Sequence, residues 1–160
     1  MKNVSIIICA YNEAKTIENV VRKCRKYNPD SEIIVVDDGS VDNSAEILTR
    51  LSYCISFEFI RLPKNTGKSN AMIIGVENAK NEVILFFDAD ISNIREGHFK
   101  QLLDPIIDEN LNVDMVLGIP SETVINNRVN PFKSLTGERA LLKKDIEPIL
   151  ENIRNIRFGV

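Results

Sequence analysis

The chain has 160 residues, 44% of them hydrophobic, with 20 Lys and Arg against 23 Asp and Glu for a formal charge of −3, values of one ordinary globular domain. With no basic excess to neutralise a phosphate backbone, nucleic acid is not the expected partner. The apolar runs Ile6 to Tyr11 and Val83 to Phe87 fall far short of the roughly 20 residues that span a bilayer, and Met1 to Ser5 has no signal-peptide layout, so a cytoplasmic protein without a transmembrane segment is expected.

Taken in chain order, Val4 to Cys9 predicts a strand, followed by a helix over Glu13 to Tyr27 that places Ile17, Val20, Val21 and Cys24 on one face, with Asn12 as its N-cap. A strand at Ile33 to Val36, a helix at Asn43 to Leu51, a strand at Phe57 to Leu62 and a helix at Lys68 to Ala79 come next. Pro29 and Pro63 fall in the connecting loops. Val83 to Phe87 predicts a strand, Glu96 to Asn110 a helix and Val113 to Leu117 a further strand. Gly118 to Phe132, with Pro120, Asn126, Asn127, Asn130 and Pro131, predicts a long polar loop of the kind that often carries function. Thr136 to Leu142 predicts a last strand, and Asp145 caps a helix to about Ile153 with Pro148 in its first turn. All the strands before the loop except Phe57 to Leu62 are nearly continuous apolar runs, as strands covered on both faces are. The alternation predicts an α/β fold with a mostly parallel sheet, right-handed crossovers and helices on both faces.

Several site chemistries are excluded by spacing. Cys9, Cys24 and Cys54 are odd in number and lack Cys-x-x-Cys spacing, so buried, reduced thiols are expected rather than disulfides or a zinc site. The sole imidazole, His98, has no Gly-x-Ser-x-Gly companion for a nucleophilic triad. Asn65-Thr66-Gly67-Lys68-Ser69 has Leu62 where a P-loop requires Gly, and no Gly-x-Gly occurs for a dinucleotide fold. What remains there is a Gly turn that presents Lys68 at a helix start, a favourable setting for an anion.

The informative polar residues stand at strand ends. The first strand runs into Tyr11-Asn12-Glu13, the second into Asp37-Asp38-Gly39-Ser40, and the fourth into Asp88-Ala89-Asp90. In a parallel sheet these ends share one edge, outside which open α/β sheets bind ligands. Asp88 and Asp90, separated by the small Ala89, suit one hard divalent cation, Mg²⁺ or Mn²⁺, with phosphate oxygens and waters completing its shell.

Val4 to Glu13, Ile33 to Ser40, Asn65 to Ala71 and Asp88-Ala89-Asp90, four blocks in order, resemble the family 2 inverting glycosyltransferases, with a weaker match around Ser134 to Leu141. The resemblance implies a GT-A fold, Rossmann-like and three-layered, over residues 1–160: a nucleotide-sugar-binding half at 1–117 and an acceptor-side half at 118–160. It implies metal-dependent transfer, with inversion, from a UDP- or GDP-sugar to a lipid phosphate or saccharide, on a protein that is cytoplasmic or peripheral at the inner membrane face. Ala10, Tyr11 and Glu13 would border the base, Asp38 the base and ribose, and Asp37 would support that turn. Lys68 would lie near the diphosphate, Asp88 near ribose and metal beside Ala89, Asp90 would be the main metal ligand, and Gly137, Glu138 and Arg139 would face the acceptor. The family usually has Pro at the place of Cys9 and Gly at that of Ser69.

An inverting transfer to a hydroxyl needs a general base, which the family carries as an acidic residue just after a segment like Arg157 to Val160. The base is therefore expected to be absent from these 160 residues, and the alternative reading is a non-catalytic or truncated nucleotide-sugar-binding module. A sugar nucleotidylyltransferase would need a Gly-rich basic loop where Cys9 to Glu13 stands. A receiver-type signalling domain would not account for Gly39-Ser40 together with Asp88-Ala89-Asp90.

Overall fold

The computed structural model of the chain describes residues 2–118 and 138–150. It contains β1 (Val4–Ala10), α1 (Ile17–Tyr27), β2 (Glu32–Asp37), α2 (Ser44–Ser52), β3 (Glu58–Arg61), α3 (Lys68–Asn78), β4 (Val83–Asp88), α4 (Glu96–Ile107), β5 (Met115–Leu117), β6 (Arg139–Leu142) and α5 (Lys143–Ile146), then a 3₁₀ turn at Glu147–Ile149. The strands form one six-stranded sheet in the order β3-β2-β1-β4-β6-β5. Strands β3, β2, β1 and β4 are mutually parallel, and β6 is antiparallel to both its neighbours.

Ile7 of β1 pairs with Ile34 of β2 and Phe86 of β4, which sets the register of the sheet centre. Strand geometry sends alternate residues to opposite faces. Ile6, Ile8, Ile33, Val35, Leu85 and Phe87 therefore pack against Val20 of α1, Leu48 of α2 and Phe99 of α4, while Ile7, Ile34, Val36, Ile84 and Phe86 pack against Ala71, Ile73 and Val76 of α3 and Ile146 of α5. The result is a three-layer α/β sandwich, the expected fold class. Ile6, Ile7 and Ile8 are wholly removed from water, each stabilising the fold by about 1.5–3 kcal/mol. On the α3 face the helix lies so close to β1 that a Cβ on Gly75 would collide with the Ile7 side chain.

The structure corrects several expected boundaries. Helix α1 starts at Ile17, and Asn12 is no N-cap: it has φ +59 and belongs to the loop. Strand β5, read as covered on both faces, is the sheet edge, with Met115 53% and Leu117 58% exposed. Helix α5 begins at Lys143, so Asp145 lies inside it, and Pro148 sits in the 3₁₀ turn. Of the thiols expected to be buried, only Cys24 is; Cys9 is half-buried and Cys54 exposed. Residues 119–137, with most of the expected polar loop and the start of the last expected strand, and residues 151–160 lie outside the described residues.

Strand β1 is the turning point of the topology. From it the chain winds outward to β2 and β3, then α3 crosses on the opposite face to return beside β1 as β4. The crevice at the carboxyl ends of β1 and β4 is the topological switch point at which sheets of this kind hold ligands. Because β6 runs antiparallel, its first residue Arg139, opposite Phe86, arrives at the same edge.

Candidate functional site

The loops leaving β1 and β2 are joined by side chains that accept backbone N–H groups. Asn12 N–H donates to Ser40 Oγ (2.9 Å), Glu13 N–H to Ser44 Oγ (2.8 Å) and Ala14 N–H to Asp42 Oδ2 (3.1 Å). In return, Asn12 Oδ1 accepts the N–H groups of Val41 (2.9 Å) and Asp42 (3.3 Å). The left-handed backbone of Asn12, which Asn tolerates better than most residues, makes this exchange possible. The Ser40 hydroxyl donates to Asp37 Oδ1, which also accepts Ser40 N–H at 3.2 Å. Asp37 is completely buried, with Arg61 Nε 3.5 Å from its other oxygen. It lies inside the turn and does not line the cleft.

Asp38 ties the second loop to a third. Only 3% exposed, it accepts Thr66 N–H and Thr66 Oγ–H at Oδ1 (2.8 Å each) and Gly67 N–H at Oδ2 (2.9 Å). Gly67 has φ 95 and ψ 150, a corner of backbone space that is essentially glycine-only. The turn delivers Lys68 as the first residue of α3, and its Nζ lies 2.7 Å from Asp88 Oδ1 at the end of β4.

These elements enclose a cleft of about 240 Å³ lined by Cys9, Ala10, Tyr11 and Glu13 from the β1 end, Asp38, Asn65, Gly67, Lys68 and Ala71, and Asp88, Ala89 and Asp90 from the β4 end. Tyr11 is 43% exposed, an aromatic face open to a ligand, whereas Ala89 is buried and leaves room between the two carboxylates. Burial, only partly offset by Lys68, pushes the Cys9 thiol up to about 12, so it is a neutral wall group. Among the described residues no three His, Cys, Asp or Glu side chains gather as a metal cage. Asp88 and Asp90 offer two hard carboxylates, a set that fits a cation whose other positions are filled by phosphate oxygens and water.

Glu138 registers the negative field of this edge. Burial first, then the charges of Asp88 and Asp90, raise its carboxyl from the ordinary 4.5 to about 7. The folded state holds that proton more tightly than the unfolded chain, so this group's contribution to stability falls as pH rises from about 4.5 through about 7. Glu138→Gln is expected to flatten that decline in a series of melting temperatures between these limits; curves that stay parallel to the parent's would contradict the assignment.

Of the residues expected from sequence, the structure brings Ala10, Tyr11, Glu13, Asp38, Lys68, Asp88, Ala89 and Asp90 to one cleft. The Arg139 guanidinium lies 6.0 Å above the Phe86 ring, and Gly137 lies outside the described residues. His98 sits in the first turn of α4, away from the cleft lining. The supporting roles of Asn12, Asp42, Ser44 and Thr66 are not apparent from sequence; for Asp42 and Ser44 the run Ser40-Val41-Asp42-Asn43-Ser44, dense in short polar acceptors after a strand, is the signal that marks them.

Comparison with known proteins agrees with this architecture. The chain is 34% identical over 91 residues to the poly-beta-1,6-N-acetyl-D-glucosamine synthase of Staphylococcus epidermidis, covering 56% of this chain and 22% of that protein. It is 39% identical over 99 residues to the undecaprenyl-phosphate 4-deoxy-4-formamido-L-arabinose transferase of Pectobacterium atrosepticum, covering 58% and 30%. It thus spans less than a third of the length of these relatives. Glucosyl-3-phosphoglycerate synthase of Mycobacterium tuberculosis, solved with Mn²⁺, UDP and glucosyl-3-phosphoglycerate, matches with a TM-score of 0.70 at 19% identity over 89% of this chain and 57% of that one. Its complex with Mg²⁺ and UDP gives 0.71 at the same identity and coverage. These likenesses show the GT-A fold. The family model described as glycosyl transferase family 2 matches residues 5–157, taking in β1, the acid-ended strands and the cleft they enclose, and the chain accordingly belongs to that family of glycosyltransferases.

Proposed function

We propose that the cleft is the donor site of a metal-dependent, inverting glycosyltransferase that takes its sugar from a nucleotide-diphosphate sugar, UDP being the first carrier to test. The observation that carries this reading is the placement of Asp88 and Asp90 opposite Lys68 at the switch point of the sheet. Ala10, Tyr11, Glu13 and Asp38 would border the base and ribose, with Asp37 holding the turn beneath them. Lys68 would face the diphosphate. Asp90 and Asp88 would hold Mg²⁺ or Mn²⁺, which when bound supplies Lewis-acid neutralisation of the departing diphosphate. The solved relatives that bind UDP with Mn²⁺ or Mg²⁺ support this choice of ligands.

On the acceptor side, Glu138, Arg139 and Gly137 would border the incoming nucleophile. An acceptor oxygen bonds to the anomeric carbon on the face opposite the diphosphate, the bond from that carbon to the diphosphate oxygen breaks, and inversion follows. A hydroxyl acceptor must also give up its proton to a base; a lipid phosphate is already anionic and needs none. The relative named for undecaprenyl phosphate supports the second choice, and a lipid acceptor would bring the protein to a membrane surface, for which the inner face is the proposed position. No helix among the described residues is long and apolar enough to cross a membrane.

The test is release of nucleoside diphosphate from UDP- and GDP-sugars with Mn²⁺ and a polyprenyl phosphate or saccharide acceptor. Transfer by the parent and none by Asp90→Ala is expected. A folded parent that binds the nucleotide with neither transfer nor hydrolysis would favour a binding module instead.

A further inference from the structure

The Lys68–Asp88 contact points beyond a simple phosphate-binding lysine. The ammonium lies 2.7 Å from Asp88 Oδ1, on one of the two carboxylates that would hold the cation, and not out in the solvent above the helix start. Its backbone has little freedom to be elsewhere: Lys68 directly follows Thr66 and Gly67, whose N–H groups are both held by Asp38. The side chain is a different matter, since it is 51% exposed and its partner's is 21%, so the pair sits at an open mouth where the ammonium can leave without unpacking anything. Lys68 is also the only cation lining the cleft among the described residues, against Glu13, Asp38, Asp88 and Asp90.

Resting on the donor-site reading, we propose that Lys68 is an exchangeable counter-cation, which neutralises Asp88 in the empty site and transfers to the diphosphate when a metal–nucleotide complex occupies it. The exchange makes metal and nucleotide need each other. A metal ion alone must compete with the ammonium for Asp88, and the ammonium, once displaced, gains no new anion in exchange beyond the carboxylates that already line the cleft. A diphosphate arriving with the metal provides that anion. Binding of each ligand therefore strengthens binding of the other by the same factor, as linkage requires. A lysine that only binds phosphate would leave the affinity for metal alone untouched.

The experiment is a titration of Mn²⁺ alone, read by loss of the free-ion paramagnetic resonance signal, on the parent, Lys68→Gln and Lys68→Arg, each repeated with saturating UDP. Lys68→Gln is expected to bind Mn²⁺ alone about tenfold more tightly than the parent, while the strengthening by UDP drops by at least a similar factor. Lys68→Arg keeps the charge and is expected to follow the parent. If the parent binds Mn²⁺ and UDP together but Lys68→Gln binds Mn²⁺ alone no more tightly, the exchange is overturned and the donor site stands. If the folded parent binds no UDP with Mn²⁺, the donor-site reading itself fails, and the exchange with it.

Discussion

Gly39→Ala is expected to be among the most damaging single-atom additions in the protein. Gly39 has φ +69, and a Cβ there would lie 2.6 Å from Asn65 N and 2.6 Å from Lys64 Cα, all of it backbone that cannot turn aside as a side chain would. The left-handed conformation costs an L-residue about 1–2 kcal/mol and overpacking about 1–3 kcal/mol more, a large share of the roughly 5–15 kcal/mol that holds a domain folded. The displaced segment is the one that Asp38 grips and that carries Lys68, so the damage reaches the site. Chemical denaturation should show a midpoint well below the parent's, and nucleotide affinity measured on the folded fraction should fall with it. A parent-like midpoint would mean that the 64–65 backbone does not press on Gly39.

Asp38→Asn should separate the loop's architecture from its charge. The carboxylate accepts at both oxygens, from Thr66 N–H and Oγ–H on one and Gly67 N–H on the other. An amide keeps only one acceptor, so either orientation sets its NH₂ against an N–H donor. Losing a hydrogen bond to a charged acceptor costs about 1.5–3 kcal/mol, moderated here because Thr66 can turn to water. The expected result is a stability loss of about 2 kcal/mol together with weaker nucleotide binding, since Lys68 loses the anchor of its loop. A variant with parent stability but no nucleotide binding would make Asp38 a ligand contact alone and remove its role as loop anchor.

The legible parts of the fold and site share a physical character. Ile6-Ile7-Ile8, Ile33 to Val36 and Val83 to Phe87 are unbroken apolar runs because helices cover them on both faces, and such a run names its own environment. The acids that end these strands mark the edge where the sheet stops excluding water. Asn12 shows where this kind of reading runs out. Asn is favoured both at helix N-caps and in left-handed turns, and local sequence does not choose between them; Ser40, Val41 and Asp42, roughly thirty positions away, decide it. Strand β5 forms where expected, but the expectation that both its faces are covered fails for a related reason. Its apolar residues give no sign of which strand they pair with, and the insertion of β6 between β4 and β5 leaves Met115 and Leu117 at the edge. The Lys68–Asp88 contact joins residues 20 positions apart and follows from the return of α3 and β4 beside β1, a nonlocal fact that periodicity does not contain.

Whether the strand ends build a metal-dependent nucleotide site is decided by calorimetric titration of UDP into the parent and Asp90→Ala, each with Mn²⁺ and with EDTA, with GDP, CDP and dTDP run alongside to fix the base. One diphosphate is expected to bind the parent with Mn²⁺, and its binding to collapse when either the metal or the Asp90 carboxylate is removed. Equal affinity in EDTA, or an Asp90→Ala variant that binds as the parent does, would contradict it.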